Sequence, residues 1–252
     1  MLTTITLILT TLVAVIVGVM IGAIGIGGVL LVPTLTYILG LGIHVAIATA
    51  MFTYLFSGAV GALEYARQDS IRWSMALWLC LGGMPGAYLG AAMTWVTPGV
   101  ILEGLIGLLV LLSGLQALRG PSGTAESVAS LSPIPLVVIG LVTGFGSSIS
   151  GTGGPLVLIP ILIWMQVPIL TAVGLSQVIQ IPIALLATTG NLMFGRIEWL
   201  IGFGVAVLLM LGVIVGARIA HRVSRVTLKR FIAVALLLVG TSMLVRTITT
   251  LV

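Results

Sequence analysis

Charged residues are scarce in this chain of 252 residues, since ten Lys and Arg and five Asp and Glu make up only 6% of it. A soluble domain carries about 25% charged residues, because its surface faces water. With 60% hydrophobic residues and a mean hydropathy of +1.35, the chain cannot cover such a surface. The composition excludes a soluble globular domain and predicts an integral membrane protein.

Other features are also missing from the sequence. The single cysteine, Cys80, has no partner for a disulfide. Neither the GxSxG elbow of a serine hydrolase nor the HExxH motif of a zinc protease occurs. The net charge of +5 comes from basic residues scattered at segment ends, which is typical of cytoplasmic loops. We therefore predict no enzyme activity, no catalytic residue, no metal, no cofactor and no nucleic-acid partner.

Long apolar runs are abundant, and they are continuous rather than alternating, which favours helices over the strands of a β-barrel. One stretch looks soluble, the Gly-, Ser- and Pro-rich sequence at 119–134, and it predicts a cytoplasmic linker between two membrane repeats, 1–118 and 135–252. The predicted helical segments are 5–24, 28–41, 45–65, 73–95, 99–118, 135–150, 155–167, 169–190, 198–218 and 227–246.

The two halves resemble each other when the sequence is shifted by 126 residues. Trp73 then aligns with Trp199, and the glycines of two GxGG stretches align. These are Gly25, Gly27 and Gly28 in the first half and Gly151, Gly153 and Gly154 in the second. Because each half holds five segments, an odd number, the second half should be inverted in the membrane. We predict an all-α membrane fold with an inverted repeat and 8–10 transmembrane segments, as in secondary transporters.

The basic residues predict the orientation. With the loops around Arg67, Arg119 and Arg218 in the cytoplasm, eight basic residues lie inside and only two, Arg196 and Arg246, lie outside. Both termini should then face the outer side of a bacterial inner membrane.

The GxGG stretches interrupt the apolar runs and precede two short segments, 28–41 and 155–167. A broken helix leaves backbone amides unpaired, which lipid tolerates only where the backbone is buried in protein or lines a cavity. Two new helix N-termini would aim these amides and their positive dipole ends at one cavity, a site for an anion. Whether the short segments are re-entrant or fully spanning stays open at this stage.

Polar residues near these breaks complete the predicted site. The second break, GFGSSISGTGGP, offers four hydroxyls, those of Ser147, Ser148, Ser150 and Thr152, although serines in membrane helices often bond back to a carbonyl. Gln177 and Gln180 share one helix face, where they could instead join helices. The residues predicted to bind substrate are Gly25, Gly27, Gly28, Thr49, Ser150, Gly151, Thr152, Gly153, Gly154, Ser176, Gln177 and Gln180. For other glycines helix packing is the expected role: Gly82, Gly86, Gly90, Gly212 and Gly216.

Two pairs of motifs resemble the sulfite exporter TauE/SafE family. They are GIGGVLLVP (25–33) with HVAIATAMF (44–52), and GTGGPLVLIP (151–160) with TAVGLSQ (171–177). The resemblance implies a transporter that moves sulfite, sulfoacetate or related organosulfonates outward across the inner membrane. The Gly-Thr-Ser that the family has after each break is replaced by Ala-Thr-Ala (48–50) and Gly-Leu-Ser (174–176), so the two half-sites need not be equal.

Two other functions stay open from the sequence. One is an intramembrane serine protease that uses Ser148 or Ser150 with a histidine, and the other is an accessory subunit of a larger complex. The expected partners are a small anionic substrate and the lipid bilayer, and the GxxxG faces permit a homodimer.

Overall fold

The structure is a computed structural model that describes residues 4–25, 27–118, 132–220, 234, 237–245 and 247–249. In this part of the chain the fold is all helical and has no strand, which confirms the predicted all-α class. Six helices are long and apolar enough to cross a bilayer, so this is a multi-pass membrane protein. The helices are α1 (Thr4–Ile24), α2 (Leu31–Tyr37, after a 3-10 turn at Gly28–Leu30), α3 (Ile43–Ala66), α4 (Trp73–Val96), α5 (Gly99–Leu118), α6 (Pro133–Ser150), α7 (Pro155–Trp164), α8 (Ile169–Phe194) and α9 (Trp199–Ala220), and a further apolar helix covers Leu237–Thr249.

The predicted segments correspond to these helices, with differences at a few ends. The segment predicted at 28–41 opens with the 3-10 turn and ends at Tyr37, and the one predicted at 155–167 ends at Trp164. Helix α6 begins at Pro133 rather than at 135, because proline is favoured in the first turn of a helix. Most of the predicted linker and the start of the last segment, 227–246, lie outside the described residues.

Helices α2 and α7 each turn back beside the helix that precedes them. The 3-10 turn folds against the end of α1, where Gly27 lies beside Val17 and Ile21, and α2 then runs back along α1. In the second half Val157 of α7 lies beside Gly146 of α6. Each pair is therefore a hairpin with a short second arm.

Glycine faces join helices from different halves of the chain. Helix α1 packs on α9 in parallel, and at Gly18, Gly22, Gly212 and Gly216 an added Cβ would come within 2.6 Å of a backbone oxygen of the partner helix. Helix α4 packs on α6 in the same way, with glycines such as Gly86 and Gly144 against backbone atoms. This confirms the packing role predicted for Gly82, Gly86, Gly90, Gly212 and Gly216, and adds Gly18, Gly22 and Gly144 to it. Because these faces are buried inside the chain, a homodimer would need another surface.

Helices α3 and α8 fill the centre of the bundle, between the two glycine-packed pairs. Tyr54, Ile47 and Met51 of α3 are fully buried, as are Ser176 and Gln177 of α8. A hydrogen bond joins the helices directly, since the Gln180 amide donates to the carbonyl oxygen of Tyr54 over 3.1 Å. The middle of the bundle is thus unusually polar for a membrane interior.

Ion pairs and end contacts identify the two ends of the bundle. At one end Glu64 of α3 lies 3.2 Å from Arg67 and 3.8 Å from Arg218 of α9. At the other end Arg196 pairs with Glu198 before α9 begins, 2.8 Å apart, and His44 of α3 bonds the carbonyl of Thr97. The ends of α3 and α9 therefore lie on the same side, opposite their starts.

The packing of α1 on α9 gives a direct test. We expect Gly216→Ala to destabilise the protein by about 1–3 kcal/mol, because the new Cβ would lie 2.1 Å from the Val19 oxygen and α1 would have to move. Gly204→Ala in the same helix is the matched control, since no atom lies within 4 Å of its Cβ position. It should gain up to about 1 kcal/mol of helix propensity. Thermal unfolding in detergent compares the two, and an equal midpoint would contradict the packing.

Candidate functional site

Two glycines end the first arms of the hairpins, one in each half of the chain. Gly25 after α1 has φ +77° and Gly151 after α6 has φ +66°, both in the left-handed region. Residues with a Cβ rarely adopt this conformation, so glycine is the residue that lets the chain turn here. The two positions are the pair that the shift of 126 residues aligns, and both sharp turns were predicted from the GxGG stretches.

The two breaks contact each other inside the bundle. A Cβ at Gly28 would lie 2.8 Å from the carbonyl oxygen of Thr152 and 3.0 Å from the Tyr54 hydroxyl. Gly153 faces the ring of the same tyrosine, whose hydroxyl donates to the Gly28 carbonyl. The breaks are therefore packed on both sides of one buried tyrosine, away from solvent.

The second break contains buried backbone amides that have no acceptor among the described residues. Gly153 and Gly154 have φ of +80° and +115°, and they lead into Pro155, which has no N–H. The amides of Val157 and Leu158 donate to the Gly154 carbonyl, whereas those of Gly153 and Gly154 donate to no residue that the structure describes. Unpaired amides at the start of a helix form a positive site that favours an anion.

The first break is built differently. Gly27 has φ −74° and ψ −31°, an ordinary right-handed helical conformation, and its carbonyl accepts the amide of Leu30. The chain therefore passes through Gly27 almost as a helix would. Of the glycines in this break, only Gly25 needs its special freedom.

The hydroxyls of the second break fall into two groups. Ser150 donates to the carbonyl of Gly146 and lies 3.0 Å from the hydroxyl of Thr152, so both predicted hydroxyls already have partners. Ser147 and Ser148 are fully buried, and neither hydroxyl has a partner in the described part of the chain. Buried hydroxyls are nearly always hydrogen-bonded, so these two need an explanation.

The glutamines predicted as ligands lie beside the breaks and bond to backbone. Gln177 donates to the carbonyl of Ile21 near the end of α1, 2.9 Å away, and its Oε1 is buried without a partner. Gln180 donates to the Tyr54 carbonyl and to the hydroxyl of Ser57. In this conformation both amides connect helices, and their contact with a ligand stays a prediction.

Ser176 and Thr49 are placed differently from each other. Ser176 bonds back to the Val173 carbonyl, and its hydroxyl lies 3.5 Å from the Cβ position of Gly25, so it reaches the first break. Thr49 accepts the amide of Glu198 over 3.1 Å and therefore faces the start of α9. The structure gathers the predicted residues around the breaks except Thr49.

Two tyrosines that contact the first break were not predicted from the sequence. Tyr54 donates to the Gly28 carbonyl, and Tyr65 donates to the carbonyl of Gly22 over 2.9 Å, so each hydroxyl bonds the backbone on one side of the first break. A tyrosine within an apolar run needs a partner for its hydroxyl. The repeat offset is a second signal, because Tyr54 aligns with Gln180, the residue that bonds it.

In the described part of the chain, the positive potential at the breaks comes from backbone amides and not from charged side chains. Among the described residues Glu64 is the only buried charged side chain, and it lies at the end of α3 with its arginines. His44 stacks on Trp95 at the start of α3 and bonds the Thr97 carbonyl, so it contacts neither Ser148 nor Ser150. His221 lies outside the described residues.

Comparison with known proteins agrees with this architecture. The family model described as "Sulfite exporter TauE/SafE" matches residues 10–243. A probable membrane transporter protein of Bacillus subtilis, YdhB, is 28% identical over 88% of this chain and 93% of its own length. A probable membrane transporter protein of Xylella fastidiosa is 28% identical over 73% of this chain and 74% of its own.

A third relative, a probable membrane transporter protein of Methanocaldococcus jannaschii, is 27% identical over 67% of this chain and 66% of its own. No solved structure matches the chain. Since the family model covers nearly the whole sequence, including both glycine breaks, this membrane transporter belongs to the sulfite exporter TauE/SafE family.

Proposed function

We propose that the chain exports a small sulfur-containing anion, such as sulfite or an organosulfonate, across a bacterial inner membrane. The observation that carries the proposal is the meeting of two glycine breaks in the interior of the bundle, each with backbone amides that donate to no residue the structure describes. The name of the matching family supports sulfite and its relatives as the substrate class.

The chemistry of the breaks favours an oxyanion. Amides and hydroxyls donate hydrogen bonds, and hydrogen bonds to a charged acceptor are about twice as strong as those between neutral groups. A fixed cationic side chain would hold an anion tightly, whereas helix ends give a weaker attraction that permits release. In the described residues no carboxylate lies near the breaks, so we expect transport that needs no proton-carrying side chain there.

An inverted repeat would let the site open to each side in turn. Under the shift of 126 residues α1 corresponds to α6 and α9 to α4, and these are the helices that pair through glycine. Tyr54 and Gln180, also 126 residues apart, bond each other at the centre. These contacts support two halves related by a pseudo-two-fold axis, which is the geometry that alternating access uses.

Cysteine labelling tests the predicted orientation of the protein in the membrane. We expect the end with Arg67 and Arg218 to face the cytoplasm and the end with Arg196 to face outward, because basic residues are retained inside. In a Cys80→Ser background, Asp69→Cys and Arg196→Cys place exposed thiols at the two ends. A membrane-impermeant maleimide should label Arg196→Cys in intact cells and Asp69→Cys only after lysis. The reverse pattern would overturn the orientation.

Transport itself is tested with purified protein in liposomes. We expect sulfite or sulfoacetate loaded inside to leave faster than from protein-free liposomes, and chloride to leave at the same rate in both. Reduction of an external dye by sulfite measures sulfite efflux. Radiolabel measures the efflux of sulfoacetate and of chloride. Absence of flux for both sulfur anions would overturn the proposed substrate class.

The second break should be sensitive to a single methyl group. Gly153→Ala should abolish flux, because its φ of +80° strains an L residue and its Cβ would lie 2.8 Å from the Tyr54 ring. Gly40→Ala is the matched control, since Gly40 has φ +71° but no atom within 4 Å of its Cβ position. Both carry about 1–2 kcal/mol of backbone strain, so only the packing at the break differs. Loss of flux in both variants, or in neither, would count against the site.

A further inference from the structure

We infer that the anion is held at only one of the two breaks, the second, and that the Ser147 hydroxyl is its side-chain donor. The inference rests on the proposed function, and it distinguishes two half-sites that the repeat alone would make equal. Ser147 is one of four hydroxyls in this stretch, and the sequence offered no reason to choose it.

Hydrogen-bond satisfaction separates the four hydroxyls. Ser150 and Thr152 have partners in each other and in the Gly146 carbonyl. Ser147 and Ser148 are completely buried, and their hydroxyls have no partner within the described residues. A donor left unpaired in a buried position weakens the fold unless something else uses it. Of the four hydroxyls in this stretch, only these two are therefore available to a ligand; the Thr143 hydroxyl, one turn earlier on α6, is also buried without a partner in the described residues.

The directions of their side chains distinguish Ser147 from Ser148. The Ser147 Oγ lies 3.9 Å from the Cβ position of Gly154, the residue that opens α7 and has an unpaired amide. Ser148 is one residue further along α6, about 100° around the helix. Its Cβ lies 2.9 Å from the Cβ position of Gly90 on α4, so it faces the helix interface. Ser147 is the hydroxyl that points to the break.

Free space is present at the same place. At Gly25, Gly28 and Gly153 an added Cβ would lie within 2.8 Å of a neighbouring atom. At Gly154 the nearest atoms are those of Ile183 and Ile179 of α8, at 3.7 and 3.8 Å, and then the Ser147 hydroxyl. The gap has the size of a methyl group, which is smaller than a sulfonate head, so binding there requires Ile179 and Ile183 to move aside.

The first break also has amides without an acceptor in the described residues, those of Gly28 and Val29, but it lacks the free hydroxyl and the open space. The position that aligns with Ser147 is Ile21, whose side chain cannot donate. Gly27 is helical, and the nearby Gln177 amide donates to the Ile21 carbonyl. The first break thus has neither a free hydroxyl nor open space at its glycines, and it supports the second break by packing on it.

The experiment compares Ser147→Ala with Ser148→Ala. Both remove a buried unpartnered hydroxyl, so each variant should unfold at the same or a higher temperature than the parent protein. Ser147→Ala should weaken binding of sulfite about 10-fold or more, since a hydrogen bond to a charged group is lost. Ser148→Ala should leave the affinity within about 2-fold. Binding is measured in detergent by isothermal titration, with sulfoacetate as a second probe.

The outcomes separate this inference from the proposed function. If the parent protein binds neither sulfite nor sulfoacetate, the proposed substrate class fails. If it binds and Ser147→Ala binds equally well, the inference is wrong while the proposed function stands. A lower unfolding temperature for Ser147→Ala without ligand would mean a structural role and would also overturn it. Ser147→Thr, which keeps the hydroxyl, should restore most of the affinity.

Discussion

The need to satisfy every backbone polar group inside a bilayer governs this structure. A helix meets that need along its length and fails only at its ends, so ends within the membrane must find other partners. Here the two inner ends meet each other around Tyr54, whose hydroxyl donates to the Gly28 carbonyl. The amides of Gly153 and Gly154 have no acceptor in the described residues, and they are among the groups that we propose bind the anion.

Glycine serves two separate purposes in the chain, and the structure distinguishes them by conformation and by neighbours. Gly216 and Gly86 lie within regular helices and bring backbones into contact across the two halves. Gly151, Gly153 and Gly154 have positive φ and lie between the end of α6 and the start of α7. The second kind interrupts the hydrogen bonding of a helix, whereas the first kind leaves it intact.

Much of this organisation was predictable from sequence. Hydropathy placed the long helices, and the offset of 126 residues identified the corresponding breaks, because both signals depend on residue type alone. The interruptions at the two GxGG stretches were predicted, whereas the left-handed conformation of Gly25 and Gly151 is a finding of the structure. What could not be predicted is which hydroxyls are already bonded. The partner of Ser150 is one turn away in its own helix, whereas Ser147 and Ser148 differ only in which way they point. The bond that the Thr49 hydroxyl accepts from the Glu198 amide, just before α9, could likewise not be predicted from the sequence.

The glycine contact between α1 and α9 has a consequence for biosynthesis. Helix α1 leaves the ribosome before α9, yet the surface that accepts it belongs to α9. Until then its glycine face is exposed to lipid or to the translocation machinery, and the first hairpin has no fixed position. Chains truncated before α9 would lack the native cradle for the N-terminal helix, so they would be early targets for membrane proteases.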